Sequence, residues 1–268
     1  MSRRVDDQGE GSVSLLKRLS CLVSTATSAL GLMSCMASAE TMLTFCFDPY
    51  PPYTYASGGK ITGGLKVDLL QAVVSKIDGV SAEVQMLPWK RCQVQAEAGN
   101  VDGILPLFKS ADRERFLAFT DATFEESYNF WFSTERFPDG FEWDGRVESV
   151  AGLRLGVLTG AFVSHELIAG LGSDKSIVWV KDIESLMQML KFGRVDLAVS
   201  DRLVGHHTVR QNGWQDSLRP VDPDITSKPA HFGLSRLTGA EAYLEDFNRA
   251  LGELKRDGTI IDMLRSTR

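Results

Sequence analysis

Gly99-Asn100-Val101-Asp102-Gly103-Ile104-Leu105 and Gly193-Arg194-Val195-Asp196-Leu197-Ala198-Val199 nearly repeat each other. Each sets a helix-ending glycine before an aspartate and an apolar run, the pattern of a helix-to-strand corner feeding a buried strand. Two lobes of related design explain the pair; chance likeness of a common turn is the alternative. Outward from these corners, short apolar runs alternate with helical periodicity, which predicts β-α repeats in an α/β fold rather than a bundle or a sandwich. Leu43–Phe47 reads as a strand, and Asp48-Pro49-Tyr50-Pro51-Pro52-Tyr53 as a turn-rich loop leading to a break at Gly58-Gly59. Leu65, Leu69, Val73 and Ile77 recur at helical spacing, so Gly64 to Ile77 is predicted as an amphipathic helix. A strand around Val84 to Leu87 and a helix from Trp89 to Ala98 follow.

Between the corners Phe130-Trp131-Phe132 reads as a strand that Phe137-Pro138-Asp139-Gly140 ends, and one interlobe crossing is expected there. A return near residue 229, before His231-Phe232-Gly233-Leu234 and the helical pattern Gly239 to Leu254, gives a first lobe of residues 40–131 plus 229–268 and a second of 132–228. Two crossings make a hinge, and a hinge makes a cleft.

Lys17 and Arg18 precede an apolar, small-residue stretch from Leu19 to Met36, and Ala37-Ser38-Ala39 follows, the layout of a signal peptide over residues 1–39. A buried helix or a membrane anchor is the competing reading. Leu32-Met33-Ser34-Cys35 also resembles a lipobox, and the polar residues before Lys17 suit a mis-assigned start. Without residues 1–39 the chain keeps 25 basic and 32 acidic residues, a formal charge of −7 that disfavours nucleic acid as a partner. Two cysteines remain, Cys46 and Cys92; export to a periplasm would place them where disulfides persist, so a bond between them is expected, two buried thiols being the alternative.

The usual catalytic and cofactor signatures are missing. There is no His-Glu-x-x-His, no phosphate loop, no dinucleotide turn and no nucleophile elbow, so neither metal nor cofactor is expected. His206-His207 are adjacent on a predicted helix and point apart. What remains is a set of polar groups at strand ends, where open α/β sheets bind ligands.

Tyr50-Pro51-Pro52-Tyr53, Gly63 to Leu69, Gly99 to Leu105, Ser110-Ala111-Asp112-Arg113, Phe119-Thr120-Asp121, Gly156-Val157-Leu158-Thr159-Gly160, Gly193 to Asp201 and the closing Leu251 to Leu264 stretch resemble, in order, the motifs of the family 3 periplasmic solute-binding proteins. Leu87-Pro88-Trp89-Lys90-Arg91-Cys92 resembles a branch of that family whose ligands are poorly defined. The resemblance implies a two-lobed fold of the type II periplasmic-binding-protein kind, each lobe a mixed sheet flanked by helices. It also implies a monomer without catalytic activity that captures an amino-acid-like solute and delivers it to a membrane ABC permease. An extracytoplasmic sensor shares the binding chemistry, and cyclohexadienyl dehydratases, which resemble this family, supply the enzymatic alternative.

Residue by residue, the resemblance implies that Arg113 grips a ligand carboxylate, as a planar guanidinium fork suits; a surface arginine in the charged run Asp112 to Arg115 is the alternative. Asp201 would receive a ligand ammonium, or serve only as a helix N-cap. Tyr53 with Tyr50 would wall the ligand side chain, or merely pack the proline loop. Gly160 would open a helix whose N–H groups favour a carboxylate. Trp89 and Arg91 would reach the cleft, or sit in core and rim. Pro106 and Phe108 stand where relatives carry Ser or Thr, and Ala161-Phe162 follow Gly160 in place of hydroxyls, which points to a larger or more apolar ligand.

Overall fold

The structure is a computed structural model that describes residues 40–159, 167 and 176–267. The signal peptide, Cys35, Gly160 and Phe162 lie outside the described residues. In chain order, β1 (Thr41–Phe47) leads through the hairpin β2 (Tyr55–Ser57) and β3 (Lys60–Gly63) to α1 (Leu65–Val74), β4 (Val80–Met86), α2 (Trp89–Glu97), β5 (Gly103–Leu107), α3 (Ala111–Glu114) and β6 (Leu117–Phe119). Then come β7 (Glu125–Ser133), β8 (Leu155–Leu158), β9 (Ile177–Val180), α4 (Ile183–Lys191), β10 (Leu197–Asp201), α5 (Arg202–Gln211), β11 (Leu218–Pro220) and β12 (Thr226–Pro229). The chain closes with β13 (His231–Ser235), α6 (Leu244–Arg256) and α7 (Thr259–Thr267).

These strands form two mixed sheets of the same design. The first runs β4-β1-β5-β13-β6 and the second β9-β8-β10-β7-β11, with β12 also on β7. In each, three neighbouring strands are parallel and the next is antiparallel. β5 and β10 are buried at every position, which is why they read as continuous apolar runs rather than alternating ones. Helices cover the sheets with apolar stripes: Phe247, Ala250, Leu251 and Leu254 of α6 are buried, as are Leu186, Met187 and Leu190 of α4. Phe247 meets Phe45 and Phe232 with ring centroids 6.1 and 5.6 Å apart in the first core. In the second, the Trp131 ring lies so close under Gly205 that an added Cβ would fall 2.4 Å from it.

Sheet membership moves the expected first crossing. The 131/132 boundary cuts β7, whose nine residues all belong to the second sheet, pairing with β10 from Phe132–Leu197 to Tyr128–Asp201. The chain therefore leaves the first sheet between Phe119 and Glu125, and the turn at Phe137–Gly140 lies beyond the crossing. No Gly or Pro stands between Leu117 and Phe137 to mark the passage. The return falls between Pro229 and His231, as the sequence predicts.

A disulfide joins Cys46 of β1 to Cys92 of α2, both fully buried. It ties the helix to the strand end from which the tyrosine-proline loop departs.

Candidate functional site

The loop after β1 and the start of α1 are built as one unit. Tyr50 N–H donates to the Thr54 carbonyl (3.0 Å), Tyr53 N–H to the Tyr50 carbonyl (2.9 Å), and the Thr54 hydroxyl to the Asp48 carbonyl (2.6 Å). The helix then docks on the loop: Leu65 N–H donates to Pro52 O (3.1 Å) and Lys66 N–H to Tyr53 O (3.0 Å). Only glycine fits before the helix, since Gly64 has φ of 112° and a Cβ there would lie 2.6 Å from the Tyr53 carbonyl oxygen. This close approach sets the Lys66 side chain against the Tyr53 ring.

Tyr53 is 1% exposed and lies in a stack, its ring 5.8 Å from Tyr50 and 5.9 Å from Phe124 in near-parallel planes. Its hydroxyl donates to Asp201 Oδ2 at 3.0 Å, a hydrogen bond between the two lobes. Asp201 Oδ1 accepts the Val204 N–H at 3.0 Å, so the N-cap reading of this residue holds and both carboxylate oxygens are engaged. Burial, then the nearby Glu126 charge, pushes the Asp201 pKa up to about 7. Burial likewise raises the Tyr53 and Tyr50 hydroxyls well above the ordinary tyrosine range, with neighbouring Asp201 and Tyr128 adding to it.

Beside them sits a buried ion pair that the sequence reading missed. Lys66 Nζ lies 2.9 Å from Glu126 Oε1, with the side chains only 2% and 5% exposed. The ammonium also rests against two ring faces, 4.5 Å from the centre of Phe47 and 4.6 Å from that of Tyr53. A local signal was present: Lys66, Leu70 and Val74 share one stripe of α1, and both apolar members are buried. A lysine in such a stripe needs a partner, but the partner is on β7 of the other sheet, beyond the reach of any local pattern.

Arg113 occupies the far end of this assembly. Ser110 Oγ accepts the Arg113 N–H and caps α3. The half-buried guanidinium donates through Nη1 to the Phe108 carbonyl at 2.8 Å and through Nε to Gln93 Oε1 at 3.3 Å, and it stacks 5.2 Å from the Trp89 ring. No carboxylate among the described residues pairs with it, and burial pulls its pKa down from the usual arginine value. Trp89 continues to Phe47 at 5.5 Å, while Phe108 approaches Tyr128 at 6.4 Å. Arg113, Trp89, Phe47, Lys66, Tyr53 and Asp201 thus form one unbroken series of contacts. Arg91 is exposed on α2 and makes no hydrogen bond or ion pair with a described residue.

A cavity of about 830 Å³ reaches Tyr53 and Asp201, walled further by Phe124, Arg202, Leu203 and Leu264. Arg113, Trp89 and Phe108 do not line it, so the expected cation and anion are joined through side chains rather than through this cavity. Among the described residues no group of three or more His, Cys, Asp or Glu side chains is arranged to hold a metal ion.

Comparison with known proteins places this geometry. The bacterial extracellular solute-binding proteins, family 3, match residues 43–266. A histidine kinase sensor domain with similarity to periplasmic binding proteins superposes with a TM-score of 0.69 at 21% identity, covering 85% of this chain and 96% of that one. The amino acid ABC transporter substrate-binding protein AbpA from Streptococcus pneumoniae, bound to L-arginine, gives 0.66 at 16% identity over 84% of this chain and 94% of that one. The GluR0 ligand-binding core with L-glutamate gives 0.70 at 14% identity, over 84% and 97%. No curated protein matches the sequence. At these identities the structures establish the two-lobed periplasmic-binding-protein-like fold, and the family match over nearly all the described chain establishes kinship: this protein belongs to the bacterial extracellular solute-binding proteins, family 3.

Proposed function

We propose that the chain is a periplasmic binding protein that captures a small carboxylate-bearing solute, an amino acid or a related molecule, by closing its lobes, and hands it to an ABC permease. The observation that carries the reading is Arg113: a half-buried guanidinium, stacked on Trp89, with donors to spare and no carboxylate partner among the described residues. Such a fork is suited to accept a carboxylate edge in two parallel hydrogen bonds. Trp89, Phe108, Tyr50 and Tyr53 would supply apolar walls, consistent with a ligand larger or less polar than a short hydrophilic amino acid. Tyr53 and Asp201 meet across the lobes, so any rocking of one lobe on the other alters that bond directly. No helix among the described residues is long and apolar enough to cross a membrane.

Family membership supports binding rather than catalysis, and monomeric action in transport fits the L-arginine-bound neighbour. The sensor-domain neighbour favours a second reading, in which the same closure presents the ligand to a signalling receptor. Native mass spectrometry of protein purified without refolding tests the shared core of both: a co-purifying molecule that carries a carboxylate supports it, and one that lacks any acid group refutes it. Permease and ATPase genes alongside this one would favour transport over sensing.

A further inference from the structure

We infer that Lys66 acts as an internal ammonium, and that the site therefore selects carboxylates that carry no ammonium of their own. The inference rests on the reading of Arg113 as the carboxylate anchor and narrows the ligand class for that same site.

An ammonium group in water-poor surroundings needs anionic oxygens and, where it can find them, aromatic faces. Both are present here, and both are already taken. The Lys66 ammonium sits between the Phe47 and Tyr53 rings, 2.9 Å from Glu126 Oε1, and is 2% exposed. Its charge also eases the burial of Asp48 and of Asp201, lowering the pKa of each against the rise that burial imposes. Asp201, the acid that the family resemblance would offer to a ligand ammonium, spends one oxygen on the Val204 N–H and the other on the Tyr53 hydroxyl. A ligand ammonium seeking this position would have to break the interlobe Tyr53 bond and share a confined space with the Lys66 cation. The carboxylate end faces no such obstacle, because Arg113 has no acidic partner among the described residues. One end of the ligand is met by an open cation, the other by aromatic rings and a filled cation site. That pairing suits an arylalkanoate or another apolar carboxylate better than a zwitterion.

The test uses matched pairs that differ only in the α-ammonium, 3-phenylpropanoate against L-phenylalanine and 3-indolepropanoate against L-tryptophan, titrated calorimetrically into the purified protein. The expected result is that within each pair the ammonium-free acid binds at least about tenfold more tightly. An amino acid that binds as tightly as its ammonium-free partner overturns the inference and leaves Arg113 as anchor intact. Failure of every carboxylate to bind overturns both this inference and the reading of Arg113. Lys66→Met supplies a second measurement. By removing the internal ammonium it should shrink the preference about tenfold in favour of the amino acid, and an unchanged preference in a folded variant overturns the role of Lys66. Should that variant fail to fold, the wild-type pairs decide.

Discussion

At Asp102 and Asp196 the two sheets turn the same corner with the same atoms. Asp102 N–H donates to the Thr44 carbonyl and Asp102 Oδ2 accepts the Thr44 N–H at 2.8 Å; Asp196 N–H donates to the Arg154 carbonyl and Asp196 Oδ2 accepts the Arg154 N–H at 2.9 Å. Each aspartate thereby locks the start of one parallel strand to the start of its neighbour. The opposite ends of the same sheets diverge. The first lobe presents the tyrosine-proline loop, Lys66, Phe108 and Arg113, and the second presents Asp201 and the start of α5. The shared edge is architecture, which both lobes need alike, and the unlike edge is where a ligand site is built.

Several variants sharpen this contrast. The largest loss is expected at the unlike edge: Lys66→Met leaves Glu126 buried without its cation and should cost about 3–5 kcal/mol in urea unfolding. A loss below about 1 kcal/mol would mean that the pair behaves as a surface one. The pH response of the same edge has a defined sign. Asp201 holds its proton more tightly folded, at about 7, than unfolded, at 3.8, so the folded chain carries the extra proton between those values and stability from this group falls as pH rises through that window. Asp201→Asn should flatten this slope; an unchanged slope would place its origin elsewhere.

Next in size is the disulfide. Replacing Cys46 and Cys92 together by serine opens a loop with a sequence separation of 46 and should cost about 2–4 kcal/mol in the same assay. The architectural corners follow, and they differ. Asp196 is further gripped by Arg154, whose Nε and Nη2 donate at 3.1 and 2.9 Å, and by Arg136, which together hold its pKa at about 2. Its contribution is present above 3.8 and is lost as pH falls through about 2, the reverse of Asp201 five residues along the same strand. Asp196→Asn should cost about 1–2 kcal/mol and Asp102→Asn, which has no ion pair among the described residues to lose, less than about 1 kcal/mol. Equal losses would show that the arginines add nothing to the corner.

The architectural edge was legible in the sequence because its signals are local. The two Gly-x-Val-Asp corners, the buried runs after them and the stripe of α1 all sit within a few residues of what they specify. The first crossing was not legible, since β7 begins without a glycine or proline and its aromatic run reads equally well as the end of the first lobe. The site was legible in part. Tyr53 and Asp201 are brought together, and Arg113 is placed beside Trp89 and Phe108. Lys66 and Glu126 escaped because a buried ion pair is written in two segments that only the fold unites. Asp201 shows why a single residue can carry two readings: its position after an apolar run makes it a helix cap, and its burial at the lobe interface makes it a partner for Tyr53.

The account turns on the unpaired cation at the first lobe. Calorimetry of wild type and Arg113→Ala against the tightest-binding carboxylate tests it directly. Loss of two buried charge-assisted hydrogen bonds should weaken binding by about a hundredfold or more. Equal affinity in the two proteins would contradict the assignment of Arg113 and, with it, the site.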